Sequence, residues 1–205
     1  MSVESVSARD AILAAVRAAR PPAVDRPEPL WPASHRPGGL SRADAFAAAA
    51  TAAGATVAPT PRGEVSRVVA GAIDGAASVL SYADGVASTI SSHGDVHALD
   101  TLDVLVCESP LGVAENGAVW IATSDTLLRG ALFLAARVVI IVRETDLVDD
   151  LHEAYEHIDV RGQSFGAFIA GPSKTADIEQ SLVIGAHGPK ELTLVLVRAD
   201  DPTIP

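Results

Sequence analysis

The sequence predicts an α/β fold with a mostly parallel sheet between helix layers. Three observations carry this reading. From residue 41 onward, strand-like and helix-like segments alternate, the pattern of parallel strands joined by crossover helices. The last strand-like segment, 192–197, is apolar on both alternations through Leu192, Val195, Leu196 and Val197, as expected of a strand covered on both faces. Hydrophobic residues make up 48% of the 205 and aromatics only 4%, so the core is built from Ala, Val, Leu and Ile in thin, closely packed layers. A chain of this length buries ~70% of its unfolded surface and needs no disulfide or metal to fold.

Taken in order, residues 7–20 read as an amphipathic helix, capped by Ser7 and carrying Ile12, Leu13 and Val16 at helical spacing. Residues 21–39 contain six prolines and two glycines, which forbid a helix. An extended connector anchored by Trp31 and a floppy linker both fit. The chain therefore divides into an N-terminal helix and connector, 1–40, and an α/β domain, 41–205. Ser41 with Asp44 starts a helix that Gly54 ends. Strands follow near 56–58, 79–82 and 104–107, with a helix at 63–74 and a polar loop holding His93 and His97. Segments 111–115 and 118–123 flank Asn116-Gly117, a strong turn signal, as a hairpin or as one kinked strand. Then come a helix at 125–136, a strand at 138–142 and a helix at 145–158 with Leu147, Leu151, Tyr155 and Ile158 on one face. A strand at 165–170, a helix at 176–185 ended by Gly185, and the strand 192–197 complete the series.

Charge and cysteine usage exclude several classes. The net charge is −11, against the basic field that nucleic-acid binding needs. A single cysteine, Cys107, makes no internal disulfide, which places the expected compartment in the cytoplasm. Glu4, Arg9 and Asp10 interrupt any N-terminal apolar region. The most apolar stretch, 131–142, is short and carries Arg137, whereas a membrane span needs ~20 apolar residues.

Three motif matches fail on context. Gly162-Gln163-Ser164-Phe165-Gly166 fits the nucleophile-elbow pattern, with Asp177 and His187 in hydrolase order, yet the strand follows the serine instead of preceding it. His152 and His157 are five apart, about 140° round a helix at ~100° per residue, so they do not share a metal. His93 and His97 lack a cysteine pair or further ligands, and no metal is expected. The chain contains neither G-x-G-x-x-G nor a P-loop motif.

Two constellations carry more weight. The run Gly171-Pro172-Ser173-Lys174-Thr175-Ala176-Asp177-Ile178-Glu179 follows a strand and reads as the opening of a helix. At the carboxyl edge of a parallel sheet, free amides and the Lys174 ammonium make an anion cradle. Asp177 and Glu179 either satisfy the helix dipole themselves or, for Asp177, act as a base or hold Lys174. His187 and Lys190 lie in the Gly/Pro turn beyond, and Lys174 and Lys190 are the only lysines. The second constellation is Glu115-Asn116-Gly117. A carboxylate ending an apolar strand beside a tight turn either faces solvent or is held as a nucleophile, with Asn116 and the following amides as oxyanion donors.

Residues 171–197, GPSKTADIEQSLVIGAHGPKELTLVLV, with LHEAYEHI at 151–158 and AENGAVWI at 114–121, resemble LUD-domain proteins of the lactate-utilization protein C group. The resemblance is strong over roughly 100–197 and loose before it. It implies a three-layer α/β/α fold of the NagB/RpiA/CoA-transferase-like kind. It also implies an accessory subunit of a cytoplasmic system oxidising L-lactate to pyruvate beside two iron–sulfur partner subunits. With one cysteine this chain holds no cluster of its own. Glu115-Asn116-Gly117 is in addition similar to the Glu-Asn-Gly of larger CoA-transferases, where the glutamate is the nucleophile. The alternatives are thus a subunit with a small anionic-ligand site at 171–190, a stand-alone enzyme on a CoA ester or phosphorylated small molecule using Glu115, and a sensing or structural module.

Overall fold

The structure, a computed structural model, describes residues 7–25, 39–91, 96–175, 183–185 and 187–199. Trp31, His93, Asp177 and Glu179 lie outside these residues. The chain divides into two units, Met1–Ala33 and Ser34–Pro205. The first contains helix α1, Ala8–Ala18, whose cap Ser7 accepts the Asp10 amide at 3.2 Å.

The second unit is built on a five-stranded, wholly parallel sheet. Its strands are β1 (Thr56–Thr60), β2 (Val79–Ser81), β3 (Val104–Glu108), β6 (Arg137–Arg143) and β11 (Glu191–Val197), in the spatial order β1-β11-β6-β3-β2. The two faces differ in composition. Leu80, Leu105, Cys107, Ile140, Leu192, Leu194 and Leu196 point to one side, and Val79, Val104, Val106, Val139 and Val195 to the other. Period-two alternation thus sends most of the leucines to one face and most of the valines to the other, with Val138 and Val142 on the leucine side and Ile141 on the valine side. The valine face is covered by α3, Val65–Ala72, through Val65, Val68 and Val69. The leucine face packs against α2 (Arg42–Ala52) and α4 (Thr126–Leu134) through Phe46, Ala50, Leu127 and Ala131. This is the expected mixed α/β arrangement, a mainly parallel sheet flanked by helices. Pro59 lies in β1 at the sheet edge, where its missing N–H disrupts no ladder.

A second, four-stranded sheet adds to the leucine side. Its order is β7-β4-β5-β8, with β4 Leu111–Val113, β5 Ala118–Ala122, β7 Leu147–Val148 and β8 Gly166–Ile169. Its outer face, with Leu111, Val113, Trp120 and Val148, packs on Ala154 of α5, Leu151–His157. The Asn116-Gly117 signal resolves to a true hairpin: β4 and β5 are antiparallel, Gly117 has φ 68°, and its amide donates to the Val113 carbonyl at 2.9 Å.

Three expectations are corrected. The segment 145–158 is not one helix. Leu147 and Leu151 have helical spacing, but β7 pairs with Gly112–Val113, and Asp150, accepting the Glu153 amide at 2.9 Å, starts α5 only afterwards. The strand at 165–170 is β8, which runs antiparallel to β5 in the second sheet, so the segment after it does not leave the carboxyl edge of the parallel sheet. The expected helix 176–185 is overturned at its end: Val183–Ile184 form β10, antiparallel to β9, Lys174–Thr175. Gly185, at φ 72°, therefore follows a strand. Among the described residues no helix is long and apolar enough to cross a membrane.

Candidate functional site

Ligands of parallel α/β sheets bind beyond the carboxyl ends of the strands, where no further backbone fills the space. Here the strand order places β11 between β1 and β6. Three arginines that are remote in sequence thus leave neighbouring strands. Arg62 follows β1 through Pro61, Arg198 follows β11, and Arg143 ends β6. All three line one cavity of about 350 Å³, with Thr145 and Val197. The chain returns are tied down locally. The Arg198 amide donates to the Thr60 carbonyl at 2.9 Å, and the Ala199 amide donates to Glu144 Oε2 at 3.1 Å.

A second cavity of about 530 Å³ shares Arg62, Arg143 and Val197 with the first and adds Asp84, Glu108 and Ser109. Ser109 is buried, and its Oγ lies 2.8 Å from the carbonyls of both Leu111 and Trp120. It fixes the point where the chain leaves β3 for the second sheet. The arginines are exposed, and Arg143 and Arg198 make no ion pair among the described residues. In a chain of net charge −11, three arginines gather at one rim, beside Asp84, Glu108 and Asp146 of the adjoining cavity, and guanidinium groups are donors of the kind that recognise small anions.

Cys107 lies just below this rim, 1% exposed. Burial, and secondarily the charge of Glu108, push its thiol up to about 12, so it is neither a ready nucleophile nor a ready metal ligand. Tyr82 donates to Asp125 Oδ2 at 2.7 Å. Burial first, then that hydrogen bond and charge, raise its pKa.

The residues singled out from the sequence occupy other places. Glu115 is exposed, and its Oε2 accepts the Leu151 amide at 3.2 Å, which satisfies the start of α5. Asn116 Oδ1 accepts the Ala118 amide at 3.0 Å. Neither residue lines the two rim cavities. Gly171 and Pro172 are buried against the end of α2, and a Cβ on Gly171 (φ 73°) would sit 2.1 Å from the Ala53 carbonyl oxygen. Lys174 Nζ donates to that same carbonyl, supplying the cation that the last turn of α2 lacks. The Ser173 amide donates to the Pro189 carbonyl at 2.9 Å, and the Ser173 carbonyl accepts the Gly185 amide at 2.8 Å. Gly171, Pro172, Ser173 and His187 come together around a separate cavity of about 200 Å³, otherwise mostly apolar. Lys174 and Lys190 do not line it. Thr175 lies in β9.

No group of three His, Cys, Asp or Glu among the described residues is placed to hold a metal. The sequence reading did not single out Arg62, Arg143 and Arg198. The signal was available as a basic residue within two positions of each strand end, once the strands were known to be neighbours.

The fold and rim define the class: a parallel α/β domain, extended by a mixed second sheet, with an arginine-lined carboxyl edge. The chain belongs to the LUD domain family, whose model matches residues 90–197. Among its relatives is lactate utilization protein C of Shouchella clausii, 32% identical over 111 residues, covering 52% of this chain and 48% of that protein. The proteins of the same name in Geobacillus kaustophilus and Bacillus subtilis are 31% and 29% identical over 109 residues, in each case 50% of this chain and 45% of the other. The chain thus spans about half the length of the curated relatives it matches. The crystal structure of a DUF162 family protein from Deinococcus radiodurans has the same fold, with a TM-score of 0.59 at 19% identity over 77% of this chain and 99% of the other.

Proposed function

We propose that this domain serves lactate utilization by holding a small carboxylate, L-lactate or pyruvate, at the carboxyl rim of its parallel sheet. The observation that carries the reading is the single cavity lined by Arg62, Arg143 and Arg198. The names of its relatives, lactate utilization protein C, supply the substrate class. Guanidinium groups recognise carboxylates through paired N–H donors, and an arginine-lined rim favours the anion over neutral metabolites of similar size.

In this reading the chain is an accessory subunit. Oxidising L-lactate to pyruvate removes two protons, one from C2 and one from the hydroxyl, and two electrons in total. The electrons go to iron–sulfur clusters in partner subunits. Cys107 is the only cysteine and is buried, which does not fit a cluster site requiring about four thiolates, so no cluster is assigned to this chain.

The test is calorimetric titration of the chain with L-lactate and pyruvate at low and high salt, alongside co-purification with iron–sulfur proteins from the source cell. Saturable, salt-sensitive binding is expected, weakened at least about tenfold in an Arg143→Ala/Arg198→Ala double variant that melts like the parent. Absence of binding, or binding unchanged in that variant, removes the rim as the site.

A further inference from the structure

Beside the arginine rim lies a further cavity of about 590 Å³. It meets the first rim cavity at Thr145 and the second at Pro110 and Asp146. Its apolar wall includes Leu111, Trp120, Leu147, Val148 and Ile158. The indole of Trp120 is fixed from behind. It pairs with Phe168 at 4.7 Å between centroids, and a Cβ on Gly166 would lie 2.3 Å from its ring.

The charged wall is of the opposite sign to the rim. Asp146, Glu153 and Asp159 face a single cation, Arg42. That guanidinium is already committed. Nε donates to Asp149 Oδ1 and Nη1 to the Leu147 carbonyl, both at 2.7 Å, and Nη2 is 3.8 Å from Glu153. Asp146 uses Oδ1 for the Thr145 hydroxyl, and Asp159 uses Oδ1 for the amides of Arg161 and Gly162. The second oxygen of each has no hydrogen-bond partner among the described residues. His157 donates from Nδ1 to the Glu153 carbonyl at 2.8 Å.

We propose that this cavity is a second ligand site, selective for an organic cation with an apolar body, such as an aromatic or alkyl ammonium. The apolar wall buries the body, as in most small-molecule sites of this volume. The free carboxylate oxygens of Asp146 and Asp159 take the ammonium, and the excess of carboxylates over guanidinium repels anions. The site is independent of the lactate reading, because its ligand carries the opposite charge and engages other residues.

The experiment ranks three probes of one shape: 2-phenylethylammonium, neutral 2-phenylethanol and anionic phenylacetate. Binding is followed by Trp120 emission in a Trp31→Phe background, and by calorimetry on the unmodified chain, which needs no substitution. The ammonium is expected to bind saturably, the alcohol about tenfold more weakly and the acid not at all, with the ammonium advantage shrinking as salt rises. An Asp146→Asn/Asp159→Asn variant, which keeps both Oδ1 acceptors, should bring the ammonium down to the level of the alcohol. Equal affinity for all three probes, preference for the acid, no saturation with the ammonium, or wild-type affinity in the folded double variant would each overturn the proposal. Loss of lactate binding in the arginine variant with the ammonium ranking intact would leave this site standing alone.

Discussion

At residues 171–190 the cation is turned onto the protein itself: Lys174 reaches the Ala53 carbonyl at the end of α2. At the carboxyl rim the guanidinium groups of Arg62, Arg143 and Arg198 line open space. Both neighbourhoods pair basic residues with a chain turn, and only the partner distinguishes them. A lysine on a helix-end carbonyl stabilises the helix, whereas Arg143 and Arg198, which make no ion pair among the described residues, keep donors for a ligand in the proposed reading. The comparison predicts a clean separation. Changes in the first region move stability and spare anion binding, and changes in the second do the reverse.

Gly171→Val gives the largest effect. Its positive φ suits glycine alone, and the new side chain would meet the Ala53 backbone at 2.1 Å. Strain plus overpacking cost about 2–4 kcal/mol, read as a fall in denaturation midpoint, with L-lactate affinity of the remaining folded protein unchanged. The arginine variant is the mirror case, a loss of about tenfold in affinity with the midpoint within about 0.5 kcal/mol of the parent. A rim variant that lost stability as heavily as Gly171→Val would dissolve the distinction between the regions.

Cys107 tests whether the layer under the rim is as dry as its burial indicates. Its thiol, ordinarily near 9.0, is held up to about 12 by burial first and by Glu108 second. With the folded value above the unfolded one, the contribution is complete below pH 9. It is lost as pH rises toward 12, because the unfolded chain ionises first. By pH 10 the loss is about 1 kcal/mol. Chemical denaturation from pH 7 to 10.5 should show this slope in the parent and a shallower one in Cys107→Ala, compared with each protein's own value at pH 7. A thiol reagent at pH 8 should label the native chain only at the rate of unfolding. Rapid native labelling would mean that the rim is open deeper than its cavities.

Much of this fold was legible because its determinants are local. Leu192–Val197 is apolar on both alternations and is buried on both faces in β11. Asn116-Gly117 made its hairpin. Reading failed where a distant pairing overrode a local pattern. Leu147 and Leu151 fit a helix until Gly112–Val113 claimed Leu147–Val148 as a strand. Ser173–Thr175 looked like a helix cap until Val183–Ile184 paired with it. The arginine rim was hidden for the same reason on a larger scale. Positions 62, 143 and 198 share no motif and no spacing, and they meet because β11 inserts between β1 and β6. Motif-based reading favours contiguous runs, so it selected Gly171–Glu179, of which Gly171 and Pro172 are buried, Lys174 donates to the Ala53 carbonyl at the end of α2, and Lys174–Thr175 form β9.

The smallest effect belongs to Lys174 and divides the two regions most sharply. Lys174→Met keeps the stem and removes the ammonium. If the residue acts on α2, the cost is about 0.5–1 kcal/mol of stability, reduced by salt as a helix-terminus charge effect is. Lys174→Arg should restore part of it, because a guanidinium also donates to a carbonyl. Lactate affinity should stay at the parent value in both variants and at every salt concentration. A cradle role gives the opposite pair of results: an unchanged denaturation midpoint, with an affinity loss in Lys174→Met that grows as salt falls. Measuring both quantities on the same two variants therefore decides whether residue 174 supports the scaffold or the ligand.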